Sequence, residues 1–210
     1  MKTKTLAIID YEIGNVFSVF HAIQAAKFNC ILTRKQNEIM SADGLILPGV
    51  GAFGNAMEKL RSFDLDEIIF KYIETGKPFL GICVGMQVLM THGEEFGTHK
   101  GLNIIEGLVS KIETEDQRQK IPFIGWRKLH AFDQSRQNQL EKYIIDEESS
   151  FYFVHSYAAE VLDKSQLAAT YTANNKEIAA IICKENVCGV QFHPERSGPG
   201  GLKFLRYYFS

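Results

Sequence analysis

Short apolar runs alternating with amphipathic stretches fill the first half of this sequence. Residues 6–10, 30–33, 44–48 and 78–82 are four or five residues long and almost free of polar side chains. A strand buried on both faces reads this way, whereas a strand with one wet face alternates. Between them, residues 16–27 predict a helix, with Val16, Phe17, Phe20, Ile23 and Gln24 at helical spacing. Residues 66–75 predict a second helix that stops at Gly76, a residue suited to the left-handed position just past a helix end. Residues 86–91 begin a third. Strands alternating with helices imply a parallel sheet covered on both faces. The second half changes character. Strand-like runs at 108–112, 152–157, 167–171 and 178–183 suggest antiparallel additions to the same sheet or a small flanking sheet. Residues 117–120 and 133–138 read as polar surface loops. No Ser/Gly-rich linker, low-complexity tract or fixed-period repeat divides the chain. The expectation is one α/β domain over residues 1–210, with a mostly parallel central sheet flanked by helices.

Bulk composition excludes little, but it removes some partners. A net charge of −2, with 45% hydrophobic and 23% charged residues, gives no field that would draw nucleic acid or an anionic membrane. No apolar stretch reaches the ~20 residues of a membrane span. The first apolar run is too short for a signal-peptide core and meets Asp10 and Glu12 at once. A cytoplasmic protein is expected, without nucleic-acid or membrane partners. Cys30, Cys83, Cys183 and Cys188 form no C-x-x-C pair, and in a reducing compartment each is expected as a free thiol. His92, Glu94, Glu95 and His99 sit in a polar stretch whose spacing fits no zinc pattern, so neither metal nor cofactor is expected.

Chemistry concentrates at three places. Gly81-Ile82-Cys83-Val84-Gly85 follows a buried strand and precedes a helical pattern, placing Cys83 on a tight strand-to-helix turn. Amide groups at the helix start favour the thiolate, and the Val84 N–H is positioned to meet an oxygen that gains charge when Cys83 attacks a carbonyl. The plain alternative is a small buried hydrophobe, which most free cysteines are; Cys30, Cys183 and Cys188 are read that way. Secondly, Gly189-Val190-Gln191-Phe192-His193-Pro194-Glu195 delivers an imidazole to a strand end with a carboxylate two residues on. In an extended segment that spacing puts both on one side. A carboxylate beside an imidazole fixes its tautomer for base catalysis. Thirdly, Pro48-Gly49-Val50-Gly51 follows a strand. Such a turn can cradle phosphate or, without a P-loop sequel, donate a second oxyanion bond from Val50 or Gly51.

Together, Pro48-Gly49-Val50-Gly51, Gly81-Ile82-Cys83-Val84-Gly85-Met86-Gln87 and Gln191-Phe192-His193-Pro194-Glu195 resemble the class I (triad) glutamine amidotransferases, whose fold is flavodoxin-like. Asp10-Tyr11-Glu12-Ile13-Gly14-Asn15, Phe151-Tyr152-Phe153-Val154-His155-Ser156-Tyr157 and Arg196-Ser197-Gly198 are similar to the glutaminase subunits of imidazole glycerol phosphate synthase within that class. The resemblance implies Cys83 as nucleophile, His193 as base and Glu195 as its orienter. It implies L-glutamine as substrate, held by Gln87 and Gly51, with His155, Ser156 and Tyr157 lining the pocket. It also implies a heterodimer, in which ammonia passes to a (β/α)8-barrel synthase of histidine biosynthesis that rests on Pro122, Trp126 and Arg196. Two departures stand out. The family usually reads Pro-His-x-Gly-Trp-Asn where this chain has Pro122-Phe123-Ile124-Gly125-Trp126-Arg127, and Tyr-Gly where it has Tyr171-Thr172-Ala173-Asn174-Asn175. The alternatives are a paralogue feeding ammonia to a sugar amidotransferase of surface-polysaccharide synthesis, or another Cys-His-Glu hydrolase.

Overall fold

The computed structural model describes residues 3–113, 121–132, 149–173 and 176–210. The loops expected at 117–120 and 133–138, and Asn174-Asn175, lie outside the described residues. Among the described residues, the apolar runs form β1 (Thr5–Ile9), β2 (Asn29–Thr33), β3 (Gly44–Leu47) and β4 (Phe79–Ile82). They pair in parallel in the order β2-β1-β3-β4. The interleaved helices are α1 (Val16–Ala25), α2 (Gln36–Ser41), α3 (Phe53–Ser62) and α4 (Leu65–Ile73), and a single turn, α5 (Val84–Gln87), follows β4.

The second half supplies the short β5 (His92–Gly93) and β6 (His99–Lys100), then β7 (Gly107–Lys111), β8 (Phe123–Arg127) and β9 (His130–Ala131). After them come β10 (Phe151–His155), β11 (Tyr157–Val161), β12 (Leu167–Ala173), β13 (Lys176–Lys184) and β14 (Val187–Val190), and the last helix is α6 (Gly198–Phe209). The main sheet has eight strands, ordered β2-β1-β3-β4-β14-β13-β12-β9. β14 returns parallel to β4, while β13, β12 and β9 extend the sheet antiparallel. Both alternatives for the second half therefore hold: some strands lengthen the main sheet, and β11-β7-β5-β6 and β10-β8 form small flanking sheets.

Several expectations are corrected. α1 ends at Ala25, and its inward stripe is Val19, Ala22 and Ile23, while Phe17 points outward. The helix expected over 86–91 is cut to one turn because later backbone takes its carbonyls. The N–H groups of Leu102, Ile104 and Asn103 donate to the carbonyls of Val88, Leu89 and Met90 at 2.8–3.1 Å. The run 152–157 is two strands in different sheets, broken at Ser156, whose carbonyl accepts from the Ile112 N–H. α3 was not foreseen. It buries Phe53, Ala56, Met57 and Leu60 at helical spacing, and full burial of each large member contributes about 1.5–3 kcal/mol. In α6, Phe204, Leu205 and Phe209 are buried against the sheet, while Tyr207 is exposed.

Candidate active site

The carboxyl ends of β4 and β14 lie side by side, so the two chemical segments meet at one edge. Cys83 sits between β4 and α5 with φ 55° and ψ −111°, a region that L side chains rarely adopt. Its N–H donates to the Val190 carbonyl at 2.8 Å, and its carbonyl accepts from the N–H groups of Met86 and Gln87 at 3.0 and 3.1 Å. Both sides of the residue are thus pinned. Close backbone approach explains the flanking glycine: a Cβ on Gly85 would lie 1.9 Å from the Leu47 carbonyl oxygen. The turn at 48–51 packs directly on this elbow, since a Cβ on Gly49 would lie 2.4 Å from the Gly85 nitrogen. Buried Tyr11 holds that turn through a 2.6 Å bond from its hydroxyl to the Pro48 carbonyl. Burial, then the nearby Cys83 charge, push the Tyr11 hydroxyl well up, so it stays a donor. As the first residue of α5, Val84 carries one of the amides that a helix start leaves without an internal acceptor.

His193 and Glu195 do not sit in an extended segment as expected. Residues Pro194–Arg196 form a 3-10 turn, and the turn brings His193 Nδ1 to 2.8 Å from Glu195 Oε1, with both side chains buried. The carboxylate accepts the Nδ1 proton, which leaves Nε2 for the sulfur side. Burial alone would lower the pKa of His193; the neighbouring Cys83 sulfur and the Glu195 carboxylate overcome it and raise the pKa to about 10. Nε2, the nitrogen not held by Glu195, has no hydrogen-bond partner among the described residues. The backbone is braced by the His193 N–H donating to the Tyr152 carbonyl at 2.9 Å and by the Ser197 hydroxyl donating to the His193 carbonyl at 2.6 Å.

A buried amide chain, not anticipated, runs behind the sulfur. The Tyr157 carbonyl can only accept. His155 Nδ1 donates to it at 2.8 Å and Gln87 Nε2 at 3.0 Å, which fixes the His155 tautomer and the Gln87 orientation. Gln87 Nε2 also donates to Gln191 Oε1 at 3.0 Å, and Gln191 Nε2 donates to Cys83 Sγ at 3.6 Å. Gln191 is 0% exposed. At the other end, the Tyr171 hydroxyl donates to His155 Nε2 at 2.7 Å. Burial, reinforced by the His193 charge, outweighs the Tyr157 bond and lowers the pKa of His155 to about 4. Both His155 ring nitrogens are therefore occupied, and its neutral ring braces the pocket wall.

A cavity of about 450 Å³ opens over these groups. It is lined by Val50, Gly51, Cys83, Val84, Gln87, His155, Ser156, Tyr157, His193 and Glu195, and also by Pro122 and Arg196, which were expected at a partner interface. The sequence reading thus named most of the wall. It missed Asn15, Phe96 and Glu95. The Glu95 carboxylate accepts the Phe53 N–H at 3.0 Å, capping α3. The hairpin β5–β6 is what carries it to the rim, and nothing in residues 92–100 announces a hairpin. Trp126 is half exposed outside the cavity, edge-on to Tyr152, and the Arg196 guanidinium lies 4.7 Å over the same ring. Within the first departure, the two altered positions touch each other: Arg127 lies 4.3 Å over the Phe123 ring.

Residues 7–209 match the family described as "Glutamine amidotransferase class-I". The chain is 40% identical over 208 residues to the imidazole glycerol phosphate synthase subunit HisH of Zymomonas mobilis, covering 97% of this chain and 94% of that protein. It is 42% identical to the protein of the same name from Lactococcus lactis, covering 98% of each. Its fold is similar to that in the structure of PurLQS from Thermotoga maritima (TM-score 0.72, 16% identity, 99% of this chain and 98% of that one). A crystal structure of a glutamine amidotransferase gives TM-score 0.69 at 18% identity, with 96% of each chain covered.

Proposed function

Because this chain belongs to the class-I glutamine amidotransferases, we propose that it is the glutaminase subunit of an imidazole glycerol phosphate synthase and that Cys83, His193 and Glu195 perform its chemistry. The observation that carries the residue assignment is the imidazole of His193, held by Glu195 at 2.8 Å and lining one cavity with Cys83.

Glutamine enters with its side-chain amide over Cys83. The acidic Glu95 at the rim attracts its α-ammonium group, and Gln87 Oε1, the end of that amide not used in the internal chain, accepts from the substrate. The thiolate, supported by the Gln191 N–H, attacks the amide carbon. The Val84 N–H and an N–H of the Val50–Gly51 turn take the negative oxygen, in a dry site where such bonds count most. Protonated His193 gives its Nε2 proton to the leaving nitrogen, ammonia departs, and a γ-glutamyl thioester remains on Cys83. Neutral His193 then removes a proton from water, hydroxide adds to the thioester, and glutamate leaves with the thiolate restored. The balance is glutamine plus water to glutamate plus ammonia. Glu195 stays ionised throughout and holds the ring.

The ridge of exposed Trp126 and Arg196 on half-buried Tyr152, beside Pro122, has the aromatic and arginine make-up of a protein contact. The partner in this reading is the cyclase barrel that accepts the ammonia, in the cytoplasm. A glutamine-derived chloroketone should label Cys83, and Cys83→Ala should abolish hydrolysis; undiminished hydrolysis by that variant would refute the assignment. Pull-down from native cells should recover the cyclase. Recovery of a sugar-modifying enzyme instead would move the chain to that pathway, leaving the glutaminase chemistry intact.

A further inference from the structure

The β13–β14 hairpin carries one cysteine on each strand, and its register sets Cys183 directly opposite Cys188. The Cys183 thiol donates to Cys188 Sγ across 3.1 Å. A disulfide bond measures about 2.05 Å, so closure needs roughly 1 Å of approach, within reach of small side-chain rotations. Facing residues of an antiparallel ladder have Cα atoms about 4.5–5.5 Å apart, inside the range of about 4.4–6.8 Å that disulfides occupy. The hairpin cannot drift. Its turn residue Asn186 donates through Nδ2 to the Ile73 and Lys77 carbonyls at 3.0 and 2.7 Å, and its own carbonyl accepts from the Phe79 N–H at 2.9 Å.

We propose that Cys183 and Cys188 are a reversible oxidation site, which closes to a disulfide by exchange with a low-molecular-weight disulfide of the glutathione type. The two thiols have different roles because they have different surroundings. Cys183 is half-buried and meets the reagent; Cys188 is 3% exposed and does not. The neighbouring Cys183, then burial, push the Cys188 thiol well up, so Cys188 keeps its proton and does not compete for the reagent in the first step. In the first step Cys183 gives its proton to water, its thiolate attacks one sulfur of oxidised glutathione, and a glutathione thiolate leaves. That thiolate takes the Cys188 proton. Cys188 Sγ then attacks Cys183 Sγ, and the second glutathione leaves as a thiolate that is protonated from water. The protein's two thiols lose two electrons, the reagent's disulfide gains them, and reduced glutathione in excess runs the exchange backward. The site lies at the end of the sheet opposite the Cys83 turn, and the proposal stands independently of the glutaminase reading.

Trypsin cuts after Lys176, Lys184 and Arg196, placing Cys183 in residues 177–184 and Cys188 in residues 185–196. The purified full chain would be exposed to oxidised glutathione, its remaining thiols alkylated, and its digest read by mass spectrometry. The two peptides should appear joined and should separate after dithiothreitol. Cys188→Ser should trap glutathione on Cys183, and Cys183→Ser should leave position 188 unmodified. Alkylation of both cysteines after oxidation, persistent glutathione on Cys183 of the unaltered chain, or a link from either residue to Cys83 or Cys30 would overturn the proposal.

Discussion

Acid should destabilise this fold through His155 before its carboxylates titrate. In the folded chain His155 is buried, with Nε2 taken by the Tyr171 hydroxyl, and its pKa is lowered to about 4. In the unfolded chain it returns to about 6.5. Between these values the unfolded state binds a proton that the folded state refuses, so stability falls as pH drops through that window. The lowered pKa costs about 2 kcal/mol at about pH 5 and close to nothing at about pH 7.5. His193 works in the other direction. Its raised pKa stabilises the fold fully below about 6.5, and that contribution fades as pH climbs toward about 10. A pH series on one protein therefore mixes the two, and the difference between the natural chain and His155→Gln isolates the first. Urea unfolding followed by far-ultraviolet circular dichroism should show the natural chain losing about 2 kcal/mol more than the variant between about pH 7.5 and pH 5. Parallel curves, or a His155 ring that titrates near its ordinary value by NMR, would refute the burial argument.

Gln191→Leu removes the N–H aimed at Cys83 Sγ. A hydrogen bond to a charged group contributes about 1.5–3 kcal/mol, so alkylation of Cys83 at neutral pH should slow by roughly tenfold or more, with glutamine hydrolysis; an unchanged alkylation rate in a folded variant would remove Gln191 from the chemistry. Gly85→Ala places a Cβ 1.9 Å from the Leu47 carbonyl oxygen, backbone that cannot step aside cheaply. The denaturation midpoint should drop by the equivalent of about 3 kcal/mol, and a midpoint equal to the natural chain's would show the elbow to be looser than described.

The parallel half of the fold was legible because strands buried on both faces write unbroken apolar runs, as residues 6–9 and 44–47 do. Cys83 and His193 were legible for a related reason: each follows such a run, so each had to lie at a sheet end. Other features depended on partners distant in sequence. The helix expected after Met86 fails because residues 101–105 supply its hydrogen bonds. The break at Ser156 is set by which sheet each flank joins. Gln191 reads as one more residue in an apolar strand until Gln87, more than a hundred positions away, fixes which end of its amide faces the sulfur. Glu95 reaches the cavity only because two two-residue strands fold a polar stretch back over the start of α3.

The left-handed backbone at Cys83 has a consequence for the molecule as a material. A side chain there is held in a conformation that costs on the order of 1–3 kcal/mol and that glycine would adopt freely. A chain selected only for endurance would place glycine there; this one carries a side chain at a position where the backbone resists it.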